Sequence, residues 1–337
     1  MKSMFVIFGG ALAIYLGIVM LIAVWPAIDL SQTPPGPGVE PLTALQDEGR
    51  TVYAANGCSY CHTQQVRPLP LDSVFGRPSA PGDFAYQTPE LLGSERTGPD
   101  LTDVGNRQGE IWQYIHLYDP RAVVPQSIMP DFKFLFRVVD TVPESETAVP
   151  LPPKFAPQHG KVIPTHKAKA LVAYLMSLKQ TQIPSHKMNG SMGGPTKHVP
   201  GSAATAAIAS EAPAKESASA STGGYHFDAS KGKALYGSHC AACHQASGMG
   251  LPGAFPPLKG NAAVLAEDPT LHLDTILHGA HGKTIDGVKY GGAMPPFGTR
   301  LSDAEVADIA NHERTSWGNN AKTVTPADVA AVRAGKK

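Results

Sequence analysis

The sequence predicts an all-α protein: an N-terminal transmembrane helix followed by two small helical domains. Three observations carry that prediction. The first 30 residues hold a long uncharged apolar run. A Cys-x-x-Cys-His motif occurs twice. The same four landmarks, one before the motif and three after it, accompany each copy in the same order.

The apolar run extends over residues 4–28 without a charged side chain and is dominated by Ile, Leu, Val, Ala, Phe, Met and Gly. A helix rises about 1.5 Å per residue, so such a run spans a hydrocarbon core about 30 Å thick. Trp25 sits near its far end, where an amphipathic ring favours the interface. A cleaved signal peptide is the competing reading. Its apolar region would be shorter, roughly 7–15 residues, and followed by a small-residue cleavage pattern. Ala23 and Ala27 are separated by Trp25 and Pro26, and no clean site is present. Residues 1–30 are therefore read as an uncleaved anchor. Lys2 before the run and Asp29 after it place the N-terminus in the cytoplasm and the remainder outside.

The 337 residues leave room for two further domains. Lys and Arg number 28, as do Asp and Glu, which gives no basic surplus for binding nucleic acid. Residues 31–41, Ser-Gln-Thr-Pro-Pro-Gly-Pro-Gly-Val-Glu-Pro, form a stiff non-helical linker, because proline removes a donor and clashes with the preceding turn. The first domain takes residues 42–183. Residues 184–224 are rich in Gly, Ser, Ala, Pro and Lys and lack aromatics, so they cannot bury enough apolar surface to offset the entropy of ordering. As a flexible coil of that length they reach roughly 35 Å, enough to let the next domain swing. The second domain takes residues 225–320, and residues 321–337 are read as a tail.

The two domains align on their cysteines. Gly49-Arg-Thr-Val-Tyr53 precedes the first motif and Gly232-Lys-Ala-Leu-Tyr236 the second. Downstream stand Gly98-Pro99-Asp-Leu101 and Pro256-Pro257-Leu258, then Met129-Pro130-Asp-Phe132 and Met294-Pro295-Pro296-Phe297. Each unit closes with a helical pattern, over 167–178 and 302–317. In the first, Leu171, Tyr174, Leu175 and Leu178 share a face. In the second, Ser302 is the N-cap, with Glu305 as its capping-box partner.

All four cysteines belong to Cys58-Ser-Tyr-Cys61-His62 and Cys240-Ala-Ala-Cys243-His244. This is the attachment signature of c-type haem, in which two thiols bind the porphyrin and the histidine reaches the iron. A four-cysteine zinc site is the alternative. It requires two domains to clamp together across a flexible linker and leaves both histidines unexplained. A dithiol redox pair leaves them unexplained too. Opposite histidine, methionine raises the potential and keeps haem c in electron transfer. Met129 and Met294 are the candidates, with Met249 a rival that lies only five residues past His244. Pro99 and Pro256 are candidates to accept a hydrogen bond from His62 and His244, fixing each imidazole's tautomer. The remaining histidines, including His116, His272 and His312, are read as surface or loop groups. With two axial side chains neither iron is open to substrate, so no catalytic residue is assigned.

From about residue 41 to 178 the chain closely resembles the mono-haem subunit of cbb3-type haem–copper oxidases. The resemblance runs through Thr43-Ala-Leu-Gln46, Gly57-Cys-Ser-Tyr-Cys-His62, Gly93-Ser-Glu-Arg-Thr-Gly-Pro-Asp-Leu101, His116-Leu-Tyr-Asp-Pro-Arg121 and Ser127-Ile-Met-Pro-Asp131. Residues 225–320 are similar to a class I cytochrome c through His239-Cys-Ala-Ala-Cys-His244, Gly292-Ala-Met-Pro-Pro-Phe297 and Thr315-Ser-Trp-Gly318. Together they imply two class I cytochrome c-type domains, each with one haem c. They also imply a bacterial inner-membrane location, with the haem domains on the periplasmic side.

The oxidase resemblance implies a non-catalytic relay. Electrons would pass from a soluble cytochrome c or copper protein to a haem–copper catalytic subunit in the membrane, which reduces oxygen. It also implies calcium at the interface with that subunit, with Ser94 close to it. Two departures stand out. The ordinary oxidase subunit ends after its first haem domain, and here His312-Glu313 replaces an aromatic–aliphatic pair in the last helix. The rival assignments are the cytochrome subunit of a nitric oxide reductase or of a periplasmic dehydrogenase. A di-haem peroxidase would need one open iron.

Overall fold

The computed structural model describes residues 2–181, 225–285 and 287–335. The linker expected at 184–224 lies outside the described residues.

An apolar helix opens the chain: α1 (Lys2–Val19), a π-helical turn (Met20–Val24) and α2 (Trp25–Ser31) follow without a break. Met4–Asp29 is long and apolar enough to cross a membrane, and none of it is covered by the rest of the protein. Residues 34–37 and 39–43 carry no helix, as their prolines dictate.

The first domain is built on two crossed helices. Helix α3 (Ala44–Ala55) is started by a Thr43–Gln46 capping box, and α6 (His166–Ser177) by Thr165, whose hydroxyl accepts from the Ala168 N–H. Between them lie α4 (Val104–Arg107), α5 (Glu110–Tyr118) and an antiparallel pair, β1 (Phe136–Val139) with β2 (Lys161–Pro164). Leu171, Tyr174, Leu175 and Leu178 are all buried on the face read from the sequence. Their core takes in Tyr53, Trp112, Ile115 and Leu135.

The second domain repeats the plan. Helix α7 (Ala229–His239) leads into α8 (Ala241–His244), then α9 (Ala262–Leu265) and α10 (Thr270–His278). A small hairpin, β3 (Thr284–Ile285) with β4 (Val288–Lys289), precedes α11 (Asp303–Thr315), whose Ser302–Glu305 capping box forms as read. The protein is thus mostly helical, with two short strand pairs.

Gly49 and Gly232, the shared first landmark, have one physical cause. A Cβ on Gly49 would stand 1.9 Å from the Ala170 carbonyl oxygen, and one on Gly232 2.5 Å from that of Asp308. In each domain the first helix crosses a later one, α6 or α11, so closely that only glycine fits.

The end of the chain departs from the expected tail. Residues 326–333 form α12 (Pro326–Arg333), capped by a Thr325–Asp328 box, with Val329 fully buried and Arg333 paired to Asp303. The polar residues of α11 hold this segment down. Asn311 exchanges two hydrogen bonds with the Val324 backbone, at 2.7 and 2.8 Å. Arg314, with no exposed surface, donates to the carbonyls of Lys322, Val264 and Ala266 at 2.6–2.9 Å. Such a buried guanidinium survives because its donors are matched by acceptors.

The two domains are in contact. Leu251, Ala254 and Phe255 of the second join the apolar core of the first, and the Trp112 indole N–H donates to the Ala242 carbonyl at 3.1 Å.

Candidate functional site

In the first domain α3 is capped at Asn56, and a 3₁₀ turn (Cys58–Tyr60) leads into Cys61 and His62. The His62 N–H closes the turn on the Cys58 carbonyl at 3.0 Å. The ring Nδ1 lies 2.7 Å from the Pro99 carbonyl, which makes Nδ1 the protonated nitrogen and leaves the Nε2 lone pair free. The loop carrying Pro99 passes against the imidazole itself, since a Cβ on Gly98 would come within 2.2 Å of the ring. Burial pushes the His62 pKa down, with the Pro99 bond opposing it.

Asp100, with no exposed surface, locks that loop by accepting from the Thr63 hydroxyl and the backbone N–H groups of Gln65 and Thr102. Met129 is partly buried against the core, and its carbonyl takes a hydrogen bond from Arg121 at 3.0 Å.

The second site reproduces this arrangement. The His244 N–H bonds the Cys240 carbonyl at 3.0 Å, and His244 Nδ1 lies 2.9 Å from the Pro256 carbonyl. Met294 packs against the second core, and its backbone pairs with Ala280. The rival Met249 is 55% exposed. The Trp317 indole donates to Ala246 O and the Tyr236 hydroxyl to Gln245 O, bracing the segment after the motif.

These residues fit a c-type haem. All four cysteines are free. Burial raises the Cys58 thiol to about 11 and the Cys243 thiol to about 12, so at neutral pH they stand as thiols, with no charge to bury. Both imidazoles present an unprotonated nitrogen. Buried polar atoms without a protein partner accompany each site: Gln64 Nε2, Arg107 Nε and His116 Nδ1 in the first domain, Gln245 Nε2 and His272 Nδ1 in the second. Burial takes Arg107 down to about 10, and its charge is felt at His62. Among the described residues no three or more His, Cys, Asp or Glu side chains come together as a metal site.

Three histidines correct the surface reading. His272 is 5% exposed and lies 2.6 Å from Glu313, itself buried, so the unusual Glu313 has a partner. His312 packs its ring between Tyr236 and Trp317, the place an aromatic would fill. His116 stacks on Trp112 at 4.4 Å between ring centroids, and burial holds its pKa down at about 3. The i,i+4 spacing of Trp112 and His116 on α5 was the available signal. His186 and His198 lie outside the described residues. Ser94 is an exposed residue, and the nearby Arg96 pairs with Asp72 and Asp100.

Comparison with known proteins agrees with this geometry. Residues 1–156 match the family described as cytochrome c oxidase, mono-heme subunit/FixO, and residues 229–317 match cytochrome c. Cytochrome c-552 of Thermus thermophilus is 39% identical over 104 residues, which cover 30% of this chain and 69% of the relative. The chain belongs to the cytochrome c family.

This cytochrome thus joins a FixO-like mono-haem oxidase-subunit domain to a C-terminal cytochrome c domain, and two such domains imply haem c. It is also 42% identical over 103 residues to the cytochrome c subunit of a quinone alcohol dehydrogenase from Gluconacetobacter polyoxogenes. That match covers 30% of the chain and 22% of the relative, so the chain spans about a fifth of that protein. The cbb3-type cytochrome c oxidase subunit FixP of Azorhizobium caulinodans is 30% identical over 105 residues, 31% of the chain and 33% of the relative.

Proposed function

We propose that this cytochrome is the two-haem electron-transfer subunit of a membrane terminal oxidase. It takes electrons from a soluble cytochrome c or copper protein and passes them to a haem–copper catalytic subunit that reduces oxygen. The observation that carries the reading is the FixO match, which covers the apolar helix and the first domain as far as residue 156. The helix anchors the chain in the bacterial inner membrane, with both haem domains on the periplasmic side.

Cys58 and Cys61 hold the first haem by thioether bonds, and Cys240 and Cys243 the second. His62 with Met129, and His244 with Met294, would bind the iron of each haem. Each haem supplies a one-electron couple. Pro99 and Pro256 fix the imidazoles through the 2.7 and 2.9 Å hydrogen bonds, so no ligand has to reorient when the charge changes. Calcium at the interface with the catalytic subunit, near Ser94, is part of the same proposal.

The dehydrogenase relatives favour a second reading, in which electrons enter from an organic substrate. Gentle detergent purification of the tagged chain separates the two. Haem b co-purifying with cyanide-sensitive oxygen uptake is expected. Haem c alone, or a reductase activity driven by an organic substrate, would move the assignment to a dehydrogenase.

A further inference from the structure

Helix α5 of the first domain touches both candidate haem sites. At its start, the Trp112 indole N–H donates to the carbonyl of Ala242, inside the second attachment motif. Gln108 Oε1, just before the helix, stands 3.7 Å from Cys243 Sγ. A cleft of about 420 Å³ opens beside this contact, with Asn106, Gln108 and Gly109 on one side and Ala293 and Met294 on the other. The second domain thus presents both its motif and its methionine loop to the α4–α5 turn.

The far end of α5 belongs to the first site. The Leu117 carbonyl accepts from the Phe132 N–H at 2.9 Å, tying down the Met129 loop, which Arg121 also holds. His116 interacts electrostatically with His62. One turn apart, Trp112 and His116 stack at 4.4 Å with 14° between their planes. The helix has nine residues, and so is only about 14 Å long.

We infer that α5 is a fixed electron bridge: it docks the second domain through Trp112, and the two haems exchange electrons directly across the Trp112–His116 stack. The inference rests on the reading that both motifs carry haem, and it is independent of which membrane partner receives the electron. The step is a single electron leaving one ferrous iron and reducing the other ferric iron. No bond is made or broken, and no proton is required.

This view differs from a swinging second domain. A docked domain exchanges electrons at a rate set by its seat on α5. A swinging domain exchanges at a rate set by its own diffusion.

The test uses the full-length holoprotein in detergent, with a single electron injected by pulse radiolysis and both haems followed optically. The expected wild-type result is one first-order phase, independent of protein concentration and of solvent viscosity. Trp112→Ala removes the anchor. Truncating a buried interface Trp commonly costs more than enough for a tenfold population loss, so exchange is expected to slow at least about tenfold. Trp112 is also part of the first core.

Gly109→Arg is therefore the companion variant. Gly109 has φ near −77°, open to any residue, and a Cβ there would lie 3.0 Å from the Ala293 carbonyl oxygen of the second domain. An arginine pushes the second domain off while leaving each core intact. It is expected to slow exchange similarly, with both haem spectra unchanged, and to weaken the haem–haem dipolar coupling seen by pulsed EPR. Two results overturn the inference: a wild-type rate that falls with viscosity, or Gly109→Arg exchange at the wild-type rate. Failure of the haem reading is distinguishable, because haem c spectra would then be absent before any rate is measured.

Discussion

The chemistry of each site rests on a few atoms, and the paired hydrogen bonds of His62 to Pro99 and His244 to Pro256 are the most informative. They define which imidazole nitrogen is left free to bind an iron. Methionine opposite histidine raises the potential of haem c. Met129→His is thus expected to lower the potential of the first haem while leaving the second near its wild-type value, and Met294→His to do the reverse. Potentiometric titration of the holoprotein checks both. At the same scale, Glu313 and His272 form a buried pair. Breaking one half leaves a buried polar group without its partner, so Glu313→Leu is expected to cost about 3–5 kcal/mol of second-domain stability. The double variant His272→Leu/Glu313→Leu should recover most of that loss in denaturant unfolding. The motif residues were legible in the sequence because covalent attachment imposes fixed spacing, and Pro99 and Pro256 because a Pro-x-Leu landmark follows each motif in the same order, although 37 and 12 positions after the histidine. The Glu313 pair was not, because its partner is 41 positions away and no local pattern links the two.

At the scale of elements, the apolar N-terminal helix and the closing helices α6 and α11 form where the sequence places them. The capping box at Ser302 and the apolar face of Leu171, Tyr174, Leu175 and Leu178 are local signals, and local signals survive folding. The role of Gly49 was hidden, since a close helix crossing is a property of two segments over a hundred residues apart. Gly49→Ala is expected to destabilise the first domain by about 1–3 kcal/mol through overpacking against Ala170. Gly237→Ala supplies the contrast. It lies in α7 with nothing within 4 Å of its Cβ, so alanine should stabilise the helix by about 0.5–1 kcal/mol. Denaturant titration of the two variants measures the difference. Helix α12 was read as tail because the segment is rich in Ala and Lys, yet Val329 is buried and Asn311 and Arg314 of α11 supply its approach with hydrogen bonds. Polar residues on the inner face of a helix defeat a reading based on apolar periodicity.

At the scale of the whole molecule, an apolar helix carries two repeated cytochrome domains that lean on one another through α5. An acidic network stiffens the first domain near its haem loop. The Arg67 and Arg96 guanidinium groups hold the Asp72 carboxyl well below the usual carboxylate range, Arg67 being the larger influence. A lowered folded-state value means that this stabilisation is complete above the unfolded value of about 3.9 and is lost as pH falls through the folded one. Asp72→Asn should therefore lower first-domain stability at neutral pH and flatten its decline in acid, as thermal melts at pH 7 and below pH 4 would record. The repeat and its order were legible from sequence, because both domains keep the same landmarks. The contact between them was not, since the Trp112–Ala242 bond joins residues 130 positions apart.

The two motifs imply one chemistry carried out twice in a single chain. Counting covalent haem on the full-length protein and on its ligand-pair variants tests that claim most directly. Two haem c per chain are expected, falling to one when Cys58 and Cys61, or Cys240 and Cys243, are replaced by alanine. Both should be low-spin and six-coordinate in the oxidised and reduced forms. One haem or none in the full-length protein, or bound zinc that is lost with either cysteine pair, would contradict it.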